Sequence, residues 1–362
     1  MKIAIIAGGL DNIPSKKFGA IEMIIWNYKI ELEKLGHEVV IFNDLNLKKV
    51  ASDINNGNFD FVHLNYSEYV SFFSRKLKVP FCTTCHSGYI TNINKWSIGY
   101  YSVFYDTMKC PGIIALSQYI SKLYLDNGYN GFIRVIRNGI DVKNFLPREK
   151  GNDRAICLGR IEPRKRQAWL SNIMSQRASI DFVGPIQDKN FKAEGNCRYM
   201  GYWFKQDVYK NLSQYNCLVL LSDGEAAPLV VPEALAAGLS IVVSKSASAN
   251  LDDSLPFVSI LPDDISDPEI IAEIINTHIK NNNIYRPQII EYAKMYFDTS
   301  SVATDYVKVI EEFINIKNNP KKVFKIQSGK IPIYLLSKFA MLIKSIIFYI
   351  NQIIKPIDLT KI

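Results

Sequence analysis

Nowhere in its 362 residues does the chain hold an uncharged apolar run near the roughly 18 residues that a membrane-spanning helix needs. It also lacks any stretch with the pattern of a nucleic-acid-binding module. The opening residues 1–9 (MKIAIIAGG) have an apolar core too short for a secretory signal and run straight into a glycine turn. They read as a first strand, and the protein is expected to stay in the cytoplasm. Cysteine is sparse, at six residues, which in that compartment excludes a disulfide framework. Residues 82–86 (CTTCH) do have the spacing of c-type haem attachment. That chemistry requires export, and the segment continues a short β-rich run after Val79, Pro80 and Phe81. The cysteines are therefore expected to be small core side chains, with no redox or haem role.

What is present is a chain long enough for two ordinary domains. The net charge of +8 is carried by short basic clusters (Lys16–Lys17, Arg75–Lys76–Lys78, Arg164–Lys165–Arg166, Lys321–Lys322), which favour phosphates or acidic head groups as partners. Short apolar runs at residues 2–7, 39–42, 59–64, 81–84, 113–116 and 133–136 alternate with helical stretches, the pattern of a doubly wound parallel sheet. After a polar stretch at residues 147–153 the alternation resumes, with strands expected at 155–158, 180–183, 197–200 and 217–221. Helices are expected over 267–282, 289–297 and 302–316, the last crossing back onto the first domain.

The most informative stretch is residues 223–243, DGEAAPLVVPEALAAGLSIVV. Glu225 leaves a strand on a loop. Glu233 follows Pro232 and is expected to open a helix that Gly238 stops, ahead of a buried strand at 241–243. A carboxylate at a helix start is favoured by the helix dipole, and acceptor-only oxygens suit the hydroxyls of a sugar or ribose. Earlier, strand, glycine loop and helix start combine around Gly8, Gly9 and Gly19-Ala20-Ile21-Glu22, an arrangement that offers backbone N–H groups to an anion. His86 falls just past the carboxyl end of a strand, where ligands bind in such sheets, whereas His63 reads as an interior residue. Arg160 and Lys165, in Gly159-Arg160-Ile161-Glu162-Pro163-Arg164-Lys165, pair a planar fork of donors with a point charge, which suits a pyrophosphate.

Glu225 and Glu233, with seven residues between them, resemble the E-x7-E signature of glycosyltransferase family 4, retaining enzymes of GT-B fold. Residues 159–165 resemble that family's G-R-x4-K, Cys85-His86-Ser87 its donor-sugar histidine, and residues 137–141 (RNGID) the run that ends its first domain. The resemblance implies that Glu225 meets the donor hexose and Glu233 the ribose. It implies that Arg160 and Lys165 hold the diphosphate, and that His86 contacts the sugar. Gly19 and the backbone of Ala227, Leu229 and Val230 are implied to complete the donor site. Two positions depart from the family: Ala20 replaces a common second glycine, and Pro228 replaces a glycine and removes a backbone donor. With no D-x-D in a suitable place, no metal and no other cofactor are expected.

The expected architecture is α/β: two Rossmann-like doubly wound domains, residues 1–146 and 152–300, facing across a cleft. A crossing helix at 301–319 and an amphipathic tail at 320–362 follow. In the tail, Ser337 and Lys338, Lys344 and Ser345, Asn351 and Gln352 recur every seven residues, giving a narrow polar stripe on an apolar helix. Residues 331–354 are expected to lie in a membrane surface, peripheral on its inner face, with lysines reaching head groups; the rival is packing against protein. The expected activity is transfer of a hexose from a nucleotide diphosphate sugar, UDP-sugar ahead of GDP-sugar, to a saccharide or glycolipid acceptor in cell-surface polysaccharide or lipopolysaccharide synthesis. No nucleic acid is expected as a partner. A sugar-nucleotide epimerase, which would consume donor without acceptor, and a non-catalytic nucleotide-sugar scaffold are the alternatives.

Overall fold

Strands alternate with helices from residue 2 onward in the computed structural model, which describes residues 1–15, 19–92, 99–146, 148–316 and 330–353. Lys16, Lys17, Phe18, Pro147, Lys321, Lys322 and Lys355 lie outside those residues, as do the side chains of Lys344, Ser345, Asn351 and Gln352. The first half runs β1 (Lys2–Ile6), α1 (Ala20–Lys34), β2 (Glu38–Phe42), α2 (Leu47–Asn56), β3 (Phe61–Leu64), α3 (Val70–Phe73), β4 (Phe81–Thr83), α4 (Gly99–Thr107), β5 (Gly112–Ala115), α5 (Gln118–Asp126) and β6 (Phe132–Val135). The second runs β7 (Ala155–Leu158), α6 (Gln167–Met174), β8 (Ile180–Val183), β9 (Cys197–Tyr199), α7 (Lys205–Asn211), β10 (Cys217–Leu220), α8 (Val230–Ala236), β11 (Ser240–Ser244) and β12 (Val258–Leu261). Three helices close the described chain: α9 (Pro268–Phe297), α10 (Thr299–Ile314) and α11 (Ile331–Ile353).

The strands form two six-stranded sheets, ordered β2-β1-β3-β4-β5-β6 and β12-β11-β10-β7-β8-β9, with parallel pairing throughout. Strand order reverses between β1 and β3 in one sheet and between β7 and β10 in the other. At such a reversal the loops after neighbouring strands diverge, and their carboxyl ends leave a crevice. Gly8 and Gly9 follow β1, Asn65 and Tyr66 follow β3, Gly159 follows β7 and Ser222 follows β10. The expected motifs thus hang from the two crevices.

The helix starts follow local chemistry. Ser117 Oγ accepts from Ile120 N–H at 3.2 Å, and Asn46 and Asp267 cap their helices in the same way. The crossing helix is α10: Val302, Ala303, Tyr306, Ile310 and Phe313 are buried in the core of the first sheet. The chain arrives there through a bridge between Ile140 and Asp298, with Ile140 N–H donating to Phe297 O at 2.8 Å.

Three expectations are corrected. The helical stretches at 267–282 and 289–297 are one helix, α9, continuous through Pro287. Pro287 removes only the N–H that would reach the fourth residue before it. The adjoining turn is held by Arg286, whose buried guanidinium donates to Tyr215 O at 2.7 Å, Ser213 O at 3.1 Å and Ala237 O at 3.2 Å. Burial among these carbonyls, with the charge of Arg148 adding to it, brings Arg286 down to about 10. Second, the helix carrying Glu233 begins at Val230, so Glu233 sits within the first turn and does not open it. Third, Ser337 and Lys338 of the α11 stripe face the protein. Ser337 is fully buried and accepts from Ser102 N–H at 2.7 Å, while Lys338 pairs with Asp106 of α4. Lys338 therefore does not reach toward head groups.

Candidate functional site

The loop after β7 turns sharply twice. Gly159 has φ +143, a backbone that favours glycine, and an added Cβ would stand 3.3 Å from Lys165 Nζ. A short turn at Pro163–Lys165 then ends on Arg166 in the left-handed conformation, φ +56. Gln167, fully buried, stitches the loop by donating to Arg160 O at 2.9 Å and accepting from Glu162 N–H at 3.1 Å. The result aims two consecutive cations at one carboxylate. Glu225 Oε1 lies 3.1 Å from Lys165 Nζ, 3.1 Å from Arg164 Nη1 and 3.0 Å from Ser222 Oγ. Its side chain is only 10% exposed. Burial pushes this carboxyl up, but Lys165 and Arg164 outweigh it and hold it below the usual carboxylate range.

Arg164 is the residue that sequence reasoning did not single out. Its guanidinium is buried, bonds Glu162 Oε1 at 2.7 Å and the Gly224 carbonyl, and lies 5.0 Å from the Tyr89 ring. Burial disfavours its charge, and Glu225 and Glu162 more than restore it. The available signal was the run of three basic residues, but spacing does not say which one turns inward. Arg160, expected beside the diphosphate, is half exposed, with Nε 3.8 Å from Glu162 Oε2. It is free to reach a ligand, while Lys165 is already paired.

The first sheet comes close from the other side. Gly88 packs so tightly that an added Cβ would meet Gly224 O at 3.1 Å and the Glu225 Cα at 3.2 Å. Just before it, His86 Nε2 is 3.0 Å from Asn65 Oδ1. Burial pushes His86 down to about 4, so it is neutral at pH 7. The Asn65 amide nitrogen is buried with no partner among the described residues. A neutral imidazole and an unused amide donor are thus set beside the crevice of the first sheet. His63 is the interior residue expected of it, bonded to Thr84 Oγ1 at 2.9 Å and Tyr306 at 2.8 Å.

Glu233 is buried separately, paired with Lys205 of α7, a second cation that sequence reasoning missed. A cavity of about 20 Å³ beside it, lined by Met23, Ile24, Gly139, Lys205 and Leu229 among others, has room for about one water. Glu225 and Glu233 therefore belong to one loop and helix but to different ion pairs. Ala227 bonds across the cleft through its carbonyl, which accepts from Asn138 at 3.1 Å. Leu229 packs against the cores of both sheets. Val230 opens α8, where backbone N–H groups have no intrahelical acceptor. Gly19 caps α1 at φ +156, and an added Cβ would meet Glu22 Oε2 and Ser15 Cβ at 2.7 Å. Glu22 itself accepts from the Tyr66 hydroxyl. The CTTCH cysteines are packing: Cys82 and Cys85 are buried in different core clusters.

Residues 42–144 match the profile of Glycosyltransferase Family 4, and residues 152–281 match that of Glycosyl transferases group 1. The chain belongs to glycosyltransferase family 4. Solved structures share the GT-B fold of this glycosyltransferase. HepE from Anabaena, solved in complex with UDP and glucose, is 17% identical with a TM-score of 0.66, covering 86% of this chain and 100% of its own. Sucrose-phosphate synthase from Thermosynechococcus elongatus gives 15%, 0.69, 86% and 98%. The lipopolysaccharide outer core galactosyltransferase WaaB, in its apo form, gives 15%, 0.62, 86% and 99%. No curated protein matches the sequence significantly.

Proposed function

We propose that this glycosyltransferase moves a hexose, with retention, from a nucleotide diphosphate sugar to a saccharide or lipid-linked saccharide acceptor in cell-surface polysaccharide or lipopolysaccharide synthesis. A uridine donor is favoured over a guanosine one. The observation that carries the reading is the Glu225 carboxylate, held ionised by Lys165 and Arg164 at the reversal point of the second sheet. The UDP and glucose bound to HepE support it by analogy of fold.

In this reading Glu225 accepts from hexose hydroxyls, and His86 with the unused Asn65 amide borders the sugar from the first sheet. Glu233 accepts from the ribose once Lys205 yields. Gly19 and the backbone of Ala227, Leu229 and Val230 border the donor. The bond between the anomeric carbon and the diphosphate breaks as the acceptor oxygen bonds to that carbon on the same face. The acceptor proton passes to the leaving phosphate. Arg160 and Lys165 stabilise the charge that develops there, the kind of electrostatic contribution that dominates many rate enhancements. The reading assigns this role to no metal.

Thermal unfolding against a panel of nucleotide sugars, followed by transfer assays, tests it. Protection by a uridine diphosphate hexose is expected, with consumption only when a saccharide acceptor is added and with the donor's anomeric configuration in the product. Donor consumption without acceptor, or an inverted product, would overturn the reading.

A further inference from the structure

A helix on the surface of a soluble domain normally turns its apolar stripe toward the core. α11 does so only in part. Toward α4 it presents Tyr334, Ser337, Lys338 and Met341, Tyr334 and Met341 packing on the apolar core there. The Tyr334 hydroxyl donates to Asp106 Oδ1 at 2.7 Å and accepts from Lys109 at 2.6 Å. Ser337 takes the Ser102 N–H, and Lys338 joins Lys109 on Asp106. Away from the protein stand Leu335 at 60% exposure, Leu336 at 55%, Phe339 at 60% and Leu342 at 56%, with Ile331, Ile333 and Ile343 beside them. The spacing 335, 336, 339 and 342 places those large side chains on one helix face. A contiguous exposed apolar ridge marks an interaction surface.

The charge around the ridge identifies its partner. Residues 331–353 contain no aspartate or glutamate. The acid beneath them, Asp106, is 2% exposed and bound to two lysines, so it shows little negative charge outward. Lys330 lies over the Tyr105 ring at 5.6 Å at the start of the helix, and Arg75, just after α3, is exposed. Two copies meeting through this face would bring those cations together, whereas an anionic bilayer would be attracted to them. Among the described residues no helix is long and apolar enough to cross a membrane.

We propose that α11 docks the enzyme in the plane of an anionic lipid surface, with Leu335, Leu336, Phe339 and Leu342 entering the acyl boundary. Tyr334, Ser337, Lys338 and Met341 anchor the helix to the protein, and the lipid-facing side is the apolar one. The claim is independent of the transfer reaction.

Flotation of the full chain with phosphatidylcholine vesicles, with and without phosphatidylglycerol, tests it in the absence of substrate. The protein is expected to float with the anionic vesicles, less as salt rises but not to zero, because apolar contact is unscreened. Leu335→Ser, Leu336→Ser, Phe339→Ser and Leu342→Ser together should cut flotation at least about tenfold, since the apolar side chains supply the unscreened part of the binding. Unfolding temperature and transfer to a soluble acceptor should hold, because these side chains already face outward. Equal flotation on neutral vesicles, or undiminished flotation of the variant, overturns the proposal. So does wild type that self-associates in sedimentation and stays off vesicles.

Discussion

Two buried carboxylates, each beneath two cations, have different consequences. Glu225 sits under Lys165 and Arg164, and Asp106 under Lys109 and Lys338. In both, burial pushes the carboxyl up and the cations more than reverse it. Around Asp106 the chemistry is used up: Tyr334 and the lysines close a seam between α4 and α11. Around Glu225 the ion pair lies where strand order reverses and the first sheet approaches through Gly88. A buried ion pair does not by itself mark function. Its place relative to the strand ends decides.

The largest expected difference is in turnover. Glu225→Gln or Lys165→Ala should slow transfer about a hundredfold or more, because one transition-state contact typically contributes roughly 2.7–4 kcal/mol. Initial rates on well-folded protein check this, and rates near wild type would remove Glu225 from the site. Asp106→Asn should act on stability, lowering it by about 2 kcal/mol. That is below the roughly 3–5 kcal/mol of a fully enclosed pair because both lysines reach solvent. Denaturant melts should show the loss while turnover per folded molecule stays within a few-fold.

Acid titration sharpens the comparison. Both carboxylates have folded pKa values below their unfolded ones, so each contributes stability that is present above about pH 4 and lost as pH falls through the folded value. Asp106→Asn should therefore flatten the acid limb of the stability curve, which melts from pH 5 to pH 3 would show. An unchanged limb would mean that the seam is not ionised. The smallest effect is expected where no charge is involved. Cys82→Ser with Cys85→Ser should leave transfer rates within a few-fold, because both thiols are buried in packing and burial pushes both pKa values up.

Much of this was legible because it is local. Strands announce themselves as short apolar runs, and the glycines that start α1 (Gly19) and end β7 (Gly159) are visible as letters. The E-x7-E and G-R-x4-K spacings led to Glu225 and Lys165, which the fold brings together. What escaped was tertiary. That Arg164 meets Glu225 depends on the left-handed Arg166, and that Lys205 meets Glu233 depends on how α7 lies against α8. Strand β12 carries Ser259 amid its apolar residues and gave little periodic signal. The persistence of α9 through Pro287 depends on Arg286 reaching carbonyls more than forty residues away. On α11, Lys338 was expected to reach head groups and instead turns inward. Asp106, whose burial needs cations, and the Ser102 N–H that Ser337 accepts draw that part of the stripe to the protein.

The central claim is that Glu225 is a donor-sugar contact while Lys165 serves the diphosphate. Calorimetric titration of the protecting nucleotide sugar, and of its bare nucleoside diphosphate, into wild type and Glu225→Gln tests it most directly. Glu225→Gln is expected to bind the nucleoside diphosphate as wild type does but to lose the added affinity contributed by the hexose. If Glu225→Gln keeps the full preference for the sugar nucleotide, Glu225 does not touch the sugar and the account fails.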